Sequence, residues 1–152
     1  MQQALAEAEV AYQEGEVPVG AVVVSEGRII GRGHNQTEGL QDPTAHAEIL
    51  AIGAAATHLK SWRLSGTSIY VTVEPCPMCA GALVLARIKR LICGARDPKA
   101  GACGSLFNIV QDRRLNHRVE LTEGILADQA SELLRSFFQQ RRLKEGGDRE
   151  GQ

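Results

Sequence analysis

The residues whose types suggest chemistry lie in two short segments of the chain. The first segment contains His46 and Glu48, and the second is the run Pro-Cys-Pro-Met-Cys that ends at Cys79. Zinc binds imidazole nitrogen and thiolate sulfur in a tetrahedral arrangement, and a site with three protein ligands leaves its fourth position for water. One imidazole and two thiols therefore predict a catalytic zinc site, with one ion held by His46, Cys76 and Cys79.

Glu48 lies two residues after His46. On an ideal helix that separation is a rotation of about 200°, so the two side chains do not readily bind the same ion. A carboxylate beside a zinc-bound water can accept a proton from it and deliver that proton to a substrate, because zinc lowers the pKa of the water towards about 7. The pattern His-x-Glu followed by Pro-Cys-x-x-Cys is the known signature of zinc-dependent nucleobase deaminases, in which the glutamate transfers the proton.

Two other interpretations of the cysteine pair stay open at this point. A Cys-x-x-Cys pair can be a redox dithiol, and a structural zinc site takes four protein ligands. The remaining cysteines do not favour a fourth ligand, because Cys93 lies in an apolar segment and Cys103 in a glycine-rich loop. His58 and His117 have no accompanying motif, so we expect them to be surface residues or hydrogen-bonded core residues.

Hydrophobic patterning predicts the elements that position these residues. Runs rich in alanine, leucine and glutamate are typical of helices, and runs rich in valine and isoleucine are typical of strands. Thr44 is placed to cap the second helix, and Pro77 lies in the first turn of the third. The predicted helices cover 2–14, 45–59, 77–87 and 128–144, the predicted strands cover 17–24, 28–33, 68–73, 89–95 and 118–122, and 34–44 is a polar loop.

The order of these elements predicts an α/β fold. The first two strands are joined by a short Ser-Glu-Gly turn and should form a hairpin. In the middle of the chain strands and helices alternate, which favours parallel pairing. We therefore expect a mixed five-stranded sheet between helices, in a single domain over 1–144 that is followed by a disordered tail over 145–152.

Length and composition narrow the class of protein. The chain has 152 residues, of which 43% are hydrophobic and 23% charged, as is typical of a globular domain and not of a disordered or collagen-like chain. No apolar run approaches the roughly 20 residues of a membrane helix, and the acidic start does not resemble a secretory signal. We expect a cytoplasmic protein without a membrane partner, whose four cysteines are thiols or metal ligands.

Charge is divided unevenly along the chain, although the net charge is only −1. Residues 1–50 contain eight acidic and two basic residues, whereas 87–118 contain eight basic and two acidic ones. A basic segment in a protein of nearly neutral charge favours a polyanionic partner that contacts this segment. A set of scattered, solvated charges remains the alternative.

Several segments beyond the zinc motif resemble the bacterial tRNA-specific adenosine deaminases of the TadA type, members of the cytidine deaminase-like superfamily. The resemblance covers nearly the whole chain. GARDPKAG, NHR and FF-x-x-RR favour this family over relatives that act on free bases or nucleosides, whereas Pro77 is also common in guanine and cytosine deaminases. The segments that carry the resemblance include VPVGAVVV (17–24), DPTAHAEI (42–49), YVTVEPCPMCAGAL (70–83), GARDPKAGACGSL (94–106), NHRVELTEGILAD (116–128) and FFQQRR (137–142).

The resemblance implies a three-layer α/β/α cytidine deaminase-like fold and a homodimer with one Zn2+ in each subunit. It implies hydrolysis of the wobble adenosine of a tRNA anticodon, as in tRNA-Arg with anticodon ACG, to inosine and ammonia. On the matching positions, His46, Cys76 and Cys79 would hold the zinc and Glu48 would transfer the proton.

The resemblance also assigns residues to contacts with the tRNA anticodon stem-loop. Asn35 matches a residue of the substrate pocket, and Asp97 and Lys99 match a loop beside the bound nucleotide. Phe138 and Arg142 match positions of the last helix that approach the stem-loop. Simpler structural roles stay open. Asn35 can cap a loop, and Asp97 before a proline can start a turn. Phe137 and Phe138 can both be core residues on an amphipathic helix.

Two rival functions remain at this point. The first is a free-base deaminase of the same superfamily that acts on guanine or cytosine and would show little dependence on salt. The second is a non-catalytic, zinc-stabilised RNA-binding protein, which would bind tRNA and release no ammonia. Phosphate contacts weaken as salt rises, so salt dependence and ammonia release together distinguish the three functions.

Overall fold

The computed structural model describes residues 1–150 and shows a mixed five-stranded sheet with helices on both faces. None of the helices in that range combines the length and the hydropathy that a membrane span requires. The strands are β1 (Gly20–Ser25), β2 (Arg28–His34), β3 (Ser68–Val73), β4 (Arg90–Ala95) and β5 (Glu120–Thr122). The helices are α1 (Gln2–Gln13), α2 (Thr37–Leu40), α3 (Ala47–Leu59), α4 (Pro77–Leu85) and α5 (Ala127–Glu150).

The strand order is β2-β1-β3-β4-β5, and the pairing confirms the predicted mixture. β1 is antiparallel to β2 and to β3, whereas β3, β4 and β5 are parallel to one another. The register places Val73 beside Ala95 at one edge and Ser68 beside Arg90 at the other. We call these the carboxyl edge and the amino edge of the sheet, after the ends of the parallel strands.

Two glycines of β2 allow α3 to pack directly on the sheet. A Cβ at Gly31 would collide with backbone atoms of Ala51 and Ala55, and a Cβ at Gly33 would collide with those of Ala47 and Ala51. The three alanines are fully buried. This close approach aligns α3 with β2 and places the start of α3 near the carboxyl edge of the sheet.

The helices form two layers around the sheet, which confirms the predicted three-layer α/β/α fold. α3 and α4 lie on one face, where Leu83 packs with Ile69 in the main core. α1 and α5 lie on the other face, where Leu5, Ala95 and Ala130 form a smaller apolar cluster. The carboxyl edge is therefore flanked by helices on both faces.

The first strand begins later than the sequence predicts. β1 starts at Gly20 instead of residue 17. Pro18 has no N–H to give to a strand ladder, and the N–H of Val19 donates to the carbonyl of Val17 at 2.8 Å. The two valines are therefore left at the carboxyl edge, outside the sheet.

The predicted cap of the second long helix is wrong. Thr44 does not cap α3, because its hydroxyl donates to Asp42 Oδ1 at 2.7 Å. α3 begins at Ala47 instead of residue 45, and His46 occupies the cap position. Capping by the threonine is lost because a local side-chain hydrogen bond competes for its hydroxyl.

α5 is longer than predicted and continues to Glu150, past residue 144. Extending a formed helix costs much less than starting one, so the charged residues 145–150 follow the helix despite two glycines. Residues 145–149 are exposed. The rest of the predicted tail, 151–152, lies outside the described residues.

Candidate active site

Two helix starts meet at the carboxyl edge and carry the predicted zinc ligands. His46 precedes α3 with extended backbone angles (φ −78°, ψ 151°), and Cys76 precedes α4 in a similar conformation (φ −72°, ψ 173°). Cys79 follows in the first turn of α4 and is fully buried. The structure thus brings together three residues that are up to 33 positions apart in the chain.

The three ligand atoms have the spacing that a tetrahedral zinc site requires. His46 Nδ1 lies 3.6 Å from Cys76 Sγ and 3.5 Å from Cys79 Sγ. Zinc binds nitrogen at about 2.0 Å and sulfur at about 2.3 Å, so tetrahedral angles separate the two atoms by about 3.5 Å. All three ligand atoms lie within 4.8 Å of one another. The residues present therefore fit a zinc ion with three protein ligands.

The acid–base chemistry of the three side chains also suits a cation. Hydrogen bonding with Cys79, together with the His46 ring, lowers the pKa of Cys76 to about 4. The contact with Cys76 raises the pKa of His46 and that of Cys79. Metal binding requires thiolate and neutral imidazole and releases protons, so a divalent cation can replace the protons that these groups share.

The Glu48 carboxylate is buried beside the ligand set. Only 4% of the residue is exposed, and this burial raises the pKa of Glu48 above its ordinary value. Glu48 lines the same pocket as His46 and Cys76. A buried carboxylate that faces a pocket beside a metal-ligand set has the position expected of a proton carrier.

The ligand set lies at one end of a groove. The inner pocket has a volume of about 180 Å3 and apolar walls formed by Val17, Val19 and Val73. A cleft of about 380 Å3 shares these three valines and continues to Phe138 on α5. An outer cleft of about 520 Å3 follows, lined by Lys99, Leu134, Arg135, Phe138, Gln139 and Arg142.

Asn35 and Asp97, two of the predicted substrate residues, line the inner pocket. Both also organise the backbone, as the simpler interpretations predict. Asn35 Oδ1 accepts the N–H of Ala47 at 3.0 Å, which ties its loop to the start of α3. Asp97 Oδ1 accepts the N–H groups of Lys99 and Ala100 at 3.0 Å and 3.1 Å. The two side chains therefore fix the shape of the pocket wall.

The other three predicted substrate residues line the outer cleft. Lys99 approaches from the loop after β4, and Phe138 and Arg142 approach from α5. Phe137 is the aromatic residue that joins the core, with 8% exposure, whereas Phe138 is 41% exposed. Their rings meet edge to face at 5.3 Å. The core role and the groove-lining role thus fall on neighbouring residues of one helix.

Glu74 is a residue that the sequence analysis missed. It is 4% exposed, and its carboxylate accepts the N–H groups of Asp97, Cys103 and Ser105 at 3.2, 3.0 and 3.1 Å. Burial acts to raise the pKa of Glu74, but these bonds and the Ser105 hydroxyl outweigh it and hold the pKa below its ordinary value. A Cβ at Gly101 would collide with the same carboxylate. An acid at the end of an apolar strand was the only signal in the sequence.

Glu16 is a second buried acid that the sequence analysis missed. It is 3% exposed. Its carboxylate accepts the N–H groups of Gly39 at 2.7 Å and Glu38 at 3.2 Å, and the Thr37 hydroxyl at 3.4 Å. These bonds satisfy free donors at the start of α2. They explain why a short helix forms in the segment that the sequence predicts to be a polar loop.

The basic stretch 87–118 does not form one surface beside the pocket. Arg96 and Lys99 follow β4 at the carboxyl edge, whereas Arg87, Lys89 and Arg90 lie at the amino edge. A strand of six residues spans about 20 Å. Only part of the stretch can therefore contact a nucleotide in the pocket.

Cys93, Cys103, His58 and His117 do not belong to the ligand set. Cys93 and Cys103 are buried, and burial raises the pKa of both thiols, that of Cys93 to about 12. His117 Nε2 donates to the carbonyl of Ile88 at 2.7 Å, and His58 is exposed on α3. These positions agree with small buried apolar residues and with surface or hydrogen-bonded histidines.

Comparison with known proteins shows the family of the chain. The MafB19-like deaminase family matches residues 1–142. The tRNA-specific adenosine deaminase of Bacillus subtilis (strain 168) is 48% identical over 144 residues, which cover 95% of this chain and 89% of that protein. The chain belongs to the tRNA-specific adenosine deaminases. It is therefore a hydrolytic deaminase.

Solved structures of related enzymes have the fold of this deaminase. One structure comes from a study of A-to-I editing by tRNA:A34 deaminases at the wobble position of transfer RNA. It has a TM-score of 0.85 and 45% sequence identity, and the match covers 88% of this chain and 97% of that chain. Another, a guanine deaminase from Nitrosomonas europaea, has a TM-score of 0.78 but only 26% identity, over 90% of this chain and 81% of that chain. The fold is common to both substrate classes, while sequence identity is higher with the tRNA enzyme.

Proposed function

We propose that this deaminase converts the wobble adenosine of a tRNA anticodon to inosine and that tRNA-Arg with anticodon ACG is a substrate. The observation that carries the proposal is the position of His46, Cys76, Cys79 and Glu48 at one end of a groove that continues to basic residues. The higher identity to a tRNA:A34 deaminase than to a guanine deaminase supports the choice of substrate.

The metal in this proposal is zinc, held by His46, Cys76 and Cys79. Nitrogen and sulfur donors at tetrahedral spacing support zinc over cations that prefer oxygen ligands. Zinc in such a site supplies Lewis acidity, which makes water a nucleophile at neutral pH. The protein contributes the ligand geometry and a pocket beside it for the base.

Glu48 is the proton carrier in this proposal. Hydrolysis adds the oxygen of water at C6 of adenine and expels the exocyclic amino group as ammonia. The Glu48 carboxylate takes a proton from the attacking water and delivers it to a ring nitrogen of the base, which makes the ring a better acceptor of electrons. Its burial beside the ligand set supports this assignment.

The inner pocket would take the extruded adenine between the walls that Asn35 and Asp97 organise. An unpaired loop nucleotide enters such a pocket at lower cost than a base in a duplex. Lys99, Phe138 and Arg142 would contact neighbouring nucleotides of the anticodon stem-loop in the outer cleft. A cation beside an exposed aromatic ring suits stacked, unpaired bases.

We also propose that residues 1–144 form the catalytic domain of each subunit of a cytoplasmic homodimer. Leu106 and Phe107, which follow the loop held by Glu74, are 53% and 57% exposed. Adjacent exposed apolar side chains support a protein interface at this position. Sedimentation equilibrium measures the mass of the assembly. We expect the mass of a dimer for the unaltered chain and a lower mass for Phe107→Asp. A monomeric mass for the unaltered chain would contradict the proposed homodimer.

The decisive experiment measures inosine at the wobble position of an ACG-anticodon tRNA-Arg transcript after incubation with the purified, zinc-loaded protein. We expect inosine at that position and one equivalent of ammonia. Ammonia from free guanine or cytosine without inosine in tRNA would show a free-base deaminase instead. Binding of the transcript without ammonia would show a non-catalytic RNA-binding protein.

A further inference from the structure

A cluster of basic residues lies at the amino edge of the sheet, away from the proposed active site. Backbone hydrogen bonds hold its segments side by side. The N–H of Leu64 donates to the carbonyl of Ala86 at 2.7 Å, and the N–H of Lys89 donates to the carbonyl of Thr67 at 3.0 Å. The N–H of Glu120 donates in turn to the carbonyl of Lys89 at 2.9 Å. The segments 60–67, 86–90 and 110–120 therefore form one continuous surface.

This surface carries a large excess of positive charge. It contains eight basic residues and two acidic ones, whereas the whole chain has a net charge of −1. Both acids are already paired, Glu120 with Arg90 at 3.1 Å and Asp112 with Arg114 at 2.7 Å. The other basic residues form no ion pair with the side chains that the structure describes, which end at residue 149. These residues are Lys60, Arg63, Arg87, Lys89, Arg113 and Arg118.

An exposed aromatic side chain lies within the same surface. Trp62 is 64% exposed, and the guanidinium carbon of Arg63 lies 4.9 Å from the centre of its ring. Tryptophan and arginine planes are the groups on which unpaired bases and exposed base pairs stack. A purely solvated set of charges does not require an exposed tryptophan among them.

The distance from the pocket decides which part of an RNA could reach this surface. The inner pocket lies at the carboxyl edge, about 20 Å away along the six residues of β4. A nucleotide in the pocket and its immediate neighbours occupy the groove that runs from the pocket to α5. Phosphates at the amino edge must come from a more distant part of the same RNA.

We propose that this amino-edge basic surface binds the sugar-phosphate backbone of tRNA outside the anticodon stem-loop. The proposal rests on the proposed function, since it requires a tRNA substrate. It assigns a role to Lys60, Trp62, Arg63 and Lys89, none of which lines the groove. The surface adds affinity for intact tRNA and leaves the chemistry at Glu48 unchanged.

The test compares a full-length tRNA with its isolated anticodon stem-loop as substrates of the zinc-loaded enzyme. For the combined variant Lys60→Gln, Arg63→Gln, Lys89→Gln we expect KM for full-length tRNA to rise at least tenfold, with kcat unchanged. The slope of log KM against log salt should fall by about one for each phosphate that no longer meets a cation. KM for the stem-loop should change less than twofold.

Single substitutions distinguish an effect of this surface on KM from an effect of the net charge of the protein. Lys89→Gln and Lys144→Gln remove the same charge, but Lys144 lies on α5 beside Tyr12 and Gly15 and not at the amino edge, so only Lys89→Gln should raise KM for full-length tRNA. Trp62→Ala should raise it severalfold and Trp62→Phe should restore it. Equal changes with both RNAs, or no change with either, would overturn the proposal.

Direct binding distinguishes failure of this proposal from failure of the proposed function. Filter binding of the two RNAs needs no deamination, so it reports on the surface even if neither RNA gains inosine. The unaltered protein should bind full-length tRNA more tightly than the stem-loop, and the combined variant should lose that difference. Equal affinity of the unaltered protein for both RNAs contradicts a role for the amino edge.

Discussion

The carboxylate of Glu74 accepts both the N–H and the hydroxyl of Ser105, at 3.1 Å and 2.5 Å. Glu74 comes two residues before Cys76, so these bonds connect the segment of a proposed zinc ligand to the loop that carries Asp97 and Lys99. The N–H of Ala102 strengthens the connection by donating to the Pro75 carbonyl at 2.8 Å. The pocket wall and the ligand segment therefore form one hydrogen-bonded unit.

Glu74→Ala should loosen this unit and lower the free energy of unfolding by about 3 kcal/mol, because buried N–H donors lose their acceptor. KM for tRNA should rise because Asp97 and Lys99 are no longer held. Chemical denaturation and steady-state kinetics measure the two effects. Ser105→Ala is the control, since it removes only the hydroxyl and should have a smaller effect on both. An unchanged KM in a folded Glu74→Ala protein would show that the loop keeps its position without the carboxylate.

Glu48→Ala should lower kcat at least 100-fold, because general acid–base catalysis contributes about 10²–10⁴-fold and this residue is the proposed proton carrier. The metal should remain at one equivalent, since the three ligands are unchanged. Inosine formation and elemental analysis of one sample measure both properties. Glu38→Ala is the control, because its side chain is exposed on α2 and should leave kcat unchanged. A fully active Glu48→Ala enzyme would refute the mechanism.

Cys79→Ala should reduce bound zinc well below one equivalent per chain and abolish deamination. A metal that binds only the folded protein stabilises it, so a chelator should lower the Tm of the unaltered protein and should affect Cys79→Ala much less. Mass spectrometry under native conditions and differential scanning calorimetry provide the measurements. Cys93→Ala is the matched control, a buried cysteine that should keep the metal. Equal zinc in both variants would exclude the proposed ligand set.

Gly33→Ala should destabilise the protein by about 3 kcal/mol, because the added methyl group meets the backbone of α3 and the helix must shift. Gly53→Ala, in α3 itself, should stabilise it by about 1 kcal/mol, since nothing lies near that Cβ position and alanine favours a helix. Urea unfolding of both variants measures the two changes in the free energy of unfolding. Equal effects of the two substitutions would show that α3 does not pack on β2 as closely as described.

Arg142→Gln should raise KM for the anticodon stem-loop severalfold and flatten its dependence on salt, because a cation of the outer cleft no longer meets a phosphate. Lys144→Gln removes a charge from the same helix but not from that cleft, and should leave KM nearly unchanged. Kinetics with the stem-loop at several salt concentrations distinguishes the variants. If both substitutions raise KM equally, the effect comes from the net charge of α5.

Local features of the sequence predicted the elements and the chemistry of the site. Apolar periodicity and β-branched runs are properties of neighbouring residues. They correctly predicted the two helices next to the ligands and the five strands, although α3 and β1 begin later than predicted. The ligand types and the three-residue spacing of Cys76 and Cys79 predicted a metal site because zinc chemistry restricts the choice of donors. His46 could be predicted as the third ligand only because it is a histidine and lies two residues before Glu48.

The tertiary structure alone decided how distant residues combine. Glu74 and Glu16 act through hydrogen bonds to backbone groups more than 20 positions away, and no local pattern marks such partners. The division of the basic stretch between two edges of the sheet follows from the direction of β4. Trp62 belongs to the amino-edge basic surface because backbone hydrogen bonds join its segment to 86–90. Sequence determined which groups were available and which elements they lie on, whereas long-range packing decided their partners and the face of the molecule on which they act.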